Sequence, residues 1–207
     1  GNVEKDLVKT NVDYTYVNGS MIEPTEVFKT METQTSSELK ILEYDAYRNI
    51  RRTEDKAGNN TVYLWGYGGR YAVAKVVVPG LSYAAVISTS GLYQSVLDNM
   101  ATTPGAMAME LNKLRSIPNS FVSTFVFRHP LGIISETDPN GISKYYEYDQ
   151  FGRLTLVRDK DNNILKRICY NYYGMVENCA SVSSCVDLNA DWQNTTTPLR
   201  CQLSGCS

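Results

Sequence analysis

The stretch "SKYYEYDQFGRLTLVRDKDNN", Ser143 to Asn163, decides how this chain is read. It holds four aromatic residues in its first nine positions, then a glycine and a run of alternating charges. Glu147-Tyr148-Asp149 within it repeats Glu43-Tyr44-Asp45 at an offset of 104 residues. At the same offset Phe151 matches Tyr47, Leu154 matches Ile50, Asp159-Lys160 matches Asp55-Lys56, and Asn163 matches Asn59. A second turn element, Asp-x-x-Gly, recurs at Asp55 to Gly58 and Asp138 to Gly141, with a variant at Asp159 to Asn162.

This pattern predicts stacked β-hairpins. An aspartate opening a turn accepts hydrogen bonds from amides two and three residues ahead, and glycine supplies the positive φ at the turn's end. Asp45, Asp55, Asp138, Asp149 and Asp159, with Gly58, Gly141 and Gly152, are the expected turn residues. The tyrosines pack across neighbouring strands. Fifteen tyrosines against five phenylalanines is the balance of half-buried strands, where the ring packs and the hydroxyl stays wet. One unit of about twenty residues buries too little area alone, so units must stack.

Elsewhere the chain reads as follows. Asn18-Gly19 between alternating runs predicts a hairpin, with Pro24 breaking its second strand or marking an edge. Met31 to Glu38 reads as a polar loop. Three strands follow, separated by turns at Asp45 to Arg48 and Asp55 to Asn59, and "AVAKVVV" ends the set before Pro79-Gly80. Ser82 to about Ser116 reads as helical. Leu92, Val96, Leu97 and Met100 share one face there, and Met107, Leu111 and Leu114 share another. Strands resume at Phe121. The fold class expected is mainly β (α+β), with antiparallel hairpin repeats of YD type in a curved sheet and a helical insertion near 82–116. Residues 1–177 are expected to form one domain with the helical insertion, and 178–207 a Cys-rich polar tail, either loosely structured or the start of a truncated module.

The two quoted stretches carry a family resemblance. "GIISETDPNGISKYYEYDQFGRLTLVRDKDNNILKR" resembles the RHS, or YD-repeat, proteins, whose mark is a YDxxGR turn followed by DxxG. "EYDAYRNIRRTEDKAGNNTVYLWGYGGRYAVAKV" is similar, but Arg48 stands where the motif has glycine, which points to a longer turn or one of another type. The resemblance covers Leu39 to Tyr173. It extends to the C-terminal part of large secreted or surface RHS-like proteins of the Bacteroidetes. It implies a hairpin sheet with too few repeats to close a shell.

Composition narrows the function classes. A net charge of −2, from 20 basic and 22 acidic residues, argues against a nucleic-acid partner, which requires a basic face. No run is apolar and long enough for a transmembrane helix. Gly1 in place of a methionine leaves a removed upstream segment open. The lone His129 predicts no metal centre, and no cofactor motif is present. All five cysteines fall in the last 39 residues. Cys179, Cys185, Cys201 and Cys206 are the candidates for disulfides, with Cys169 as the free thiol in a buried strand. Oxidised cysteines imply an exported location: periplasmic, surface or secreted.

Three function classes follow. The first is a non-catalytic scaffold module whose partners are other modules of the same protein. The second is a carbohydrate- or protein-binding module using exposed strand aromatics, with Trp65, Tyr67, Tyr71, Tyr145 and Tyr146 as ligand contacts. The third, weakest, is self-processing at Asp138-Pro139, because "DPNGI" resembles the DPxGL segment that ends RHS shells. Paired carboxylates such as Asp45 with Asp55, or Asp149 with Asp159, suggest acid–base chemistry only if they converge across a cleft.

Overall fold

The computed structural model describes residues 8–17 and 21–170. It is mainly antiparallel β, with a short helical insertion between hairpins. The strands are β1 (Val8–Val17), β2 (Met21–Met31), β3 (Gln34–Tyr44), β4 (Ile50–Asp55), β5 (Asn59–Gly66), β6 (Tyr71–Pro79), β7 (Phe121–Arg128), β8 (Gly132–Thr137), β9 (Ser143–Tyr148), β10 (Leu154–Asp159) and β11 (Ile164–Arg167). Three helices, α1 (Tyr83–Ser90), α2 (Gln94–Asp98) and α3 (Pro104–Asn112), and a 3₁₀ turn (Lys113–Ser116) lie between β6 and β7. The chain divides into two compact units, residues 1–124 and 125–207.

In the first unit each strand from β1 to β6 pairs with the next in sequence, and β6 pairs with Phe121–Thr124 of β7. The core forms where the insertion meets β5. Alternation along β5 buries Asn60, Val62, Leu64 and Gly66, while β6 buries Val73, Ala74, Val76 and Val78. Helices α1 and α2 pack on β5, and the insertion contributes Val86, Leu97, Met107, Leu111 and Leu114, all 1% exposed or less. Each such aliphatic side chain stabilises by roughly 1.5–3 kcal/mol relative to exposure.

The insertion begins where expected. Ser82 caps α1 by accepting the Ala85 N–H at 3.2 Å, and Thr103 caps α3 by accepting the Ala106 N–H at 3.3 Å. The Met107–Leu111–Leu114 stripe is buried. The other predicted face splits: Leu92 and Leu97 are buried, Val96 is half-buried and Met100 is 47% exposed. Gly91, at φ 64°, ends α1, and α2 is only five residues long. Met100 therefore lies beyond the helix that was to carry it.

Two local expectations are corrected. Met31 to Glu38 is not a loop. A tight turn at Glu32-Thr33 leads into β3 at Gln34, and the Thr30 and Thr35 hydroxyls bond across the pair at 2.9 Å. Pro24 neither breaks β2 nor marks an edge, because β2 lies between β1 and β3. A β-bulge absorbs it: Asp13 faces Glu26 and Tyr14 faces Pro24, leaving Thr25 unpaired in the register. In β7 the Val122–Thr124–Val126 side is buried, and Phe121 is 67% exposed.

In the second unit β8, β9, β10 and β11 pair in sequence order. Among its described residues the buried hydrophobics are Val126 and Val157. Asn18-Gly19 and the tail from 178, with Cys179, Cys185, Cys201 and Cys206, lie outside the described residues. The expected free thiol is corrected. Cys169 is disulfide-bonded. Strand β11 ends at Arg167, so Cys169 occupies a half-exposed position after an edge strand, not a buried position within one.

Candidate functional site

The carboxylates that invite a catalytic reading all open turns, and five turns share one bonding scheme. In the turn from Asp149 to Arg153, Oδ1 of Asp149 accepts the amides of Phe151 and Arg153, both at 2.9 Å. The Gly152 N–H donates to the Asp149 carbonyl at 3.0 Å, and Oδ2 takes the Arg153 Nε at 2.7 Å. Asp159 repeats this with Asp161, Asn162 and Asn163, whose side-chain amide replaces the guanidinium at 2.8 Å. Asp55 does so with Ala57, Gly58 and Asn59. Asp138 accepts the Ile142 N–H at 2.8 Å, and its carbonyl takes the Gly141 N–H at 3.0 Å.

The side chain thus reaches amides two and four residues ahead, whereas the third amide goes to the backbone carbonyl. In four of the five turns the residue at the fourth position, asparagine or arginine, completes the carboxylate's shell; after Asp138 that position is Ile142, which contributes its amide. The match of Asn163 with Asn59 was part of the repeat; the same asparagine at 49, in the sequence but not read from it, would have marked the first turn as well. These bonds hold the carboxyls of Asp55, Asp149 and Asp159 below the usual carboxylate range. The leading causes are the side-chain bonds from Asn59, Arg153 and Asn163.

Arg48 was expected to lengthen or change the first turn. It does neither. Asp45 accepts the Tyr47 and Asn49 amides at 2.8 Å and the Asn49 side chain at 3.0 Å, and Arg48 takes φ 72° in glycine's place. Its guanidinium pairs with Glu23 on β2.

The paired carboxylates do not converge. Asp45 and Asp55 lie at opposite ends of β4, and Asp149 and Asp159 at opposite ends of β10. Six strand residues separate the ends by roughly 17 Å, against about 5–9.5 Å for a two-carboxylate glycoside centre. Among the described residues no cluster of three metal-ligating side chains occurs.

Aromatic residues close the hairpins. Tyr148 donates its hydroxyl to the Ile133 carbonyl at 2.6 Å, Tyr44 to that of Pro24 and Tyr170 to that of Leu154 at 3.1 Å. Trp65 uses its indole N–H on the Ile50 carbonyl at 2.9 Å. Each bond runs from the end of a hairpin's second strand to the start of its first, the bond from Tyr170 leaving just past β11.

The five proposed ligand aromatics therefore have separate fates. Trp65 is half-buried with its donor used. Tyr67 is 4% exposed and meets Tyr71 edge-on, ring centroids 5.7 Å apart, so it presents no face to a ligand. Burial and a bond to Glu136 push the Tyr146 phenol up, and Tyr145 is 44% exposed.

One small pocket, of about 50 Å³, lies within the first unit. It is lined by Asp45, Tyr47, Arg51, Trp65, Tyr83 and Asp98, among others. The Arg51 guanidinium sits 4.2 Å from the Tyr83 ring centroid. The Tyr83 hydroxyl donates to Gln94 at 2.7 Å, and Gln94 donates to the Trp65 carbonyl and to Asp98. Burial raises the Tyr83 phenol, with Arg51 opposing. Sites for drug-sized ligands occupy about 300–1,000 Å³, so this pocket admits a functional group, not a whole ring.

No curated protein matches the chain. Among solved structures it is similar to the "Crystal Structure of TcdB2-TccC3-Cdc42" at 14% identity and TM-score 0.46. It is also similar to the TcdB2-TccC3 structure without its hypervariable C-terminal region, at 12% and 0.46. In both, the match covers 79% of this chain, which spans 8% of theirs. A Tc holotoxin pore of Photorhabdus luminescens matches at 14% and 0.42, over 80% of this chain and 7% of that one. Residues 130–164, which contain β8, β9 and β10 and the turns at Asp138, Asp149 and Asp159, match the RHS Repeat family model. That segment is a β-hairpin region similar to the RHS repeat.

Proposed function

We propose that the chain is a non-catalytic scaffold module of an exported RHS-like protein, its domain running to about residue 177 and its partners being neighbouring modules of the same protein. The observation that carries this reading is the shared turn: five aspartates, each with its carboxylate engaged inside its own hairpin. The carboxylates of Asp55, Asp149 and Asp159 are held below their usual range by these bonds, which makes them poor proton acceptors at neutral pH. Among the described residues of the second unit few side chains are buried, which supports a module that gains from stacked neighbours. The disulfide at Cys169 supports an oxidising location.

The turn geometry also bears on Asp138-Pro139. Its bonds to Ile142 and Gly141 are those of the other turns. Intact mass after long incubation is expected to stay unchanged, and a break after Asp138 would sink the scaffold reading in favour of self-processing.

A second reading is favoured by the small pocket. Arg51, Asp98 and the 65% exposed Tyr47 ring stand together there. A glycan hydroxyl could both donate to the acid and accept from the guanidinium. A glycan array on the wild type and on Arg51→Ala tests it. Binding lost in the variant supports that reading, and silence in both leaves the scaffold reading standing.

A further inference from the structure

The Tyr47 ring stands beside the small pocket as a fixed platform. Its amide donates to Oδ1 of Asp45 at 2.8 Å, and the Asn49 side chain ties the same turn to the Gly69 carbonyl at 2.8 Å. A Cβ at Gly69 would fall 2.3 Å from Cδ2 of Tyr47, so one face of the ring lies directly on this glycine. Tyr47 is nonetheless 65% exposed, which leaves the other face open. The matching aromatic of the second repeat differs. Phe151 is 69% exposed, but the Arg153 guanidinium sits 5.3 Å from its ring centroid, held there by its bond to Asp149.

Inside the pocket two charged groups are left to act on a ligand. The Arg51 side chain stacks on Tyr83 and makes no hydrogen bond or ion pair with another described residue. Asp98 accepts Gln94 on Oδ1 at 3.1 Å, and its Oδ2 meets no other described residue. Asp45 is engaged by its own turn, and Glu43 by Arg52 at 2.7 Å. A guanidinium offers donors only and a carboxylate acceptors only, whereas a hydroxyl both donates and accepts. Two neighbouring hydroxyls therefore satisfy Arg51 and Asp98 together. Charged groups fare worse. Burial raises the Tyr83 phenol first; of the charges around it, Arg51 lowers it and Asp98, Asp45 and Glu43 raise it. All four fields thus reach the pocket. An anion entering it meets three carboxylates, and a cation meets a guanidinium with no acid of its own.

We propose that the pocket takes an uncharged pyranose, which lays its apolar face on Tyr47, passes two neighbouring hydroxyls to Arg51 and Asp98, and is preferred over uronic acids and amino sugars. This selectivity rests on the glycan reading of the pocket and narrows it to one class of sugar. The size agrees. A water-sized group needs about 10–15 Å³, so about 50 Å³ admits the hydroxyls and leaves the sugar ring outside. There the open face of Tyr47, negative at its centre, meets the ring's C–H groups. Phe151 offers no such seat, because its own guanidinium lies over it.

Titration of the full chain with the methyl glycosides of glucose, galactose and mannose, followed by NMR at the Trp65 indole signal, tests this. Glucuronic acid and glucosamine are the charged controls. At least one neutral glycoside is expected to bind, at least about tenfold more tightly than either control. Tyr47→Ala and Arg51→Ala are each expected to weaken that binding at least about tenfold, as truncation of an anchor does. Tyr47→Phe, which keeps the ring, and Phe151→Ala are expected to leave it unchanged. Thermal melts check folding, and Asp98→Asn, at an exposed position, is read for the same loss if either truncation fails to fold. A preference for the acid or the amine, or neutral-sugar binding that survives Tyr47→Ala, overturns the selectivity and leaves the broader glycan reading in place. Silence toward every sugar here overturns it as well. Glycans bound on the array would then keep the broader reading alone, and silence there too would remove both.

Discussion

The hydroxyl of Tyr148 donates to the carbonyl of Ile133 across the hairpin of β8 and β9, at 2.6 Å. Tyr44 makes the equivalent bond to Pro24 across β2 and β3. The tyrosine of the repeated Tyr-Asp pair thus ties a hairpin shut, while the aspartate beside it starts the next turn. Tyr148→Phe keeps the ring and removes the bond. Urea unfolding should show a loss of about 1 kcal/mol, the net value of a typical intramolecular hydrogen bond. Tyr145→Phe, at an exposed position of the same strand, should change stability by less than about 0.5 kcal/mol.

Gly152 and Arg48 hold the same turn position with φ of 75° and 72°. A Cβ at 152 would make only an ordinary contact, 3.4 Å from a Leu131 methyl. The cost of Gly152→Ala is therefore conformational, about 1–2 kcal/mol. At position 48 that cost is already present. Arg48→Val should destabilise further through its branched side chain, whereas Arg48→Asn should be tolerated, because asparagine adopts this region readily. Thermal melts of the three variants check the order.

Gly66 is required for space, not for its φ. A Cβ there would lie 2.8 Å from the Leu97 carbonyl oxygen and 3.1 Å from a Val73 methyl. Neither α2 nor β6 yields without disturbing the core around Leu64 and Leu97. Gly66→Ala should cost about 1–3 kcal/mol, the range for overpacking. Gly105, which has open space and no positive φ, should accept alanine with no loss.

Stability should depend on pH at both ends. Asp55, Asp149 and Asp159 have folded carboxyl values below the unfolded one. Their contribution is complete above the unfolded carboxylate value of about 3.9 and is lost as pH falls through the folded values. Tyr44 and Tyr148 are raised by burial. Theirs is complete below the unfolded phenol value of about 10 and is lost as pH rises through the folded values. Urea midpoints across pH should fall on both limbs. Asp159→Asn should flatten the acid limb and leave the alkaline one unchanged. An unaltered acid limb in that variant would assign the acid loss to other carboxylates.

Much of this was legible because it is local. An aspartate, the two amides its carboxylate takes and the residue that completes its shell lie within five positions, so turns at Asp55, Asp138, Asp149 and Asp159 follow from short-range chemistry. The same holds for Ser82 as a cap and for the Met107–Leu111–Leu114 stripe. Arg48 misled because a side chain in glycine's place suggests a different turn. The turn survives since the Asp45 bonds and the Glu23 pairing hold the strained residue in position.

Alternation along a strand specifies two faces and says nothing of which one is covered. The chain by itself determined the turns opened by Asp55, Asp138, Asp149 and Asp159 and the place of the helical insertion, since each arises among near neighbours, but not the β2–β3 turn at Glu32-Thr33, which has no such aspartate. Tertiary structure alone decided that the insertion covers β5 and leaves β1 to β3 open. It also decided that Tyr67 is buried, that Trp65 spends its donor on Ile50, and that the paired acids stand a strand apart. Those outcomes depend on contacts between distant segments, which local residue pattern does not encode.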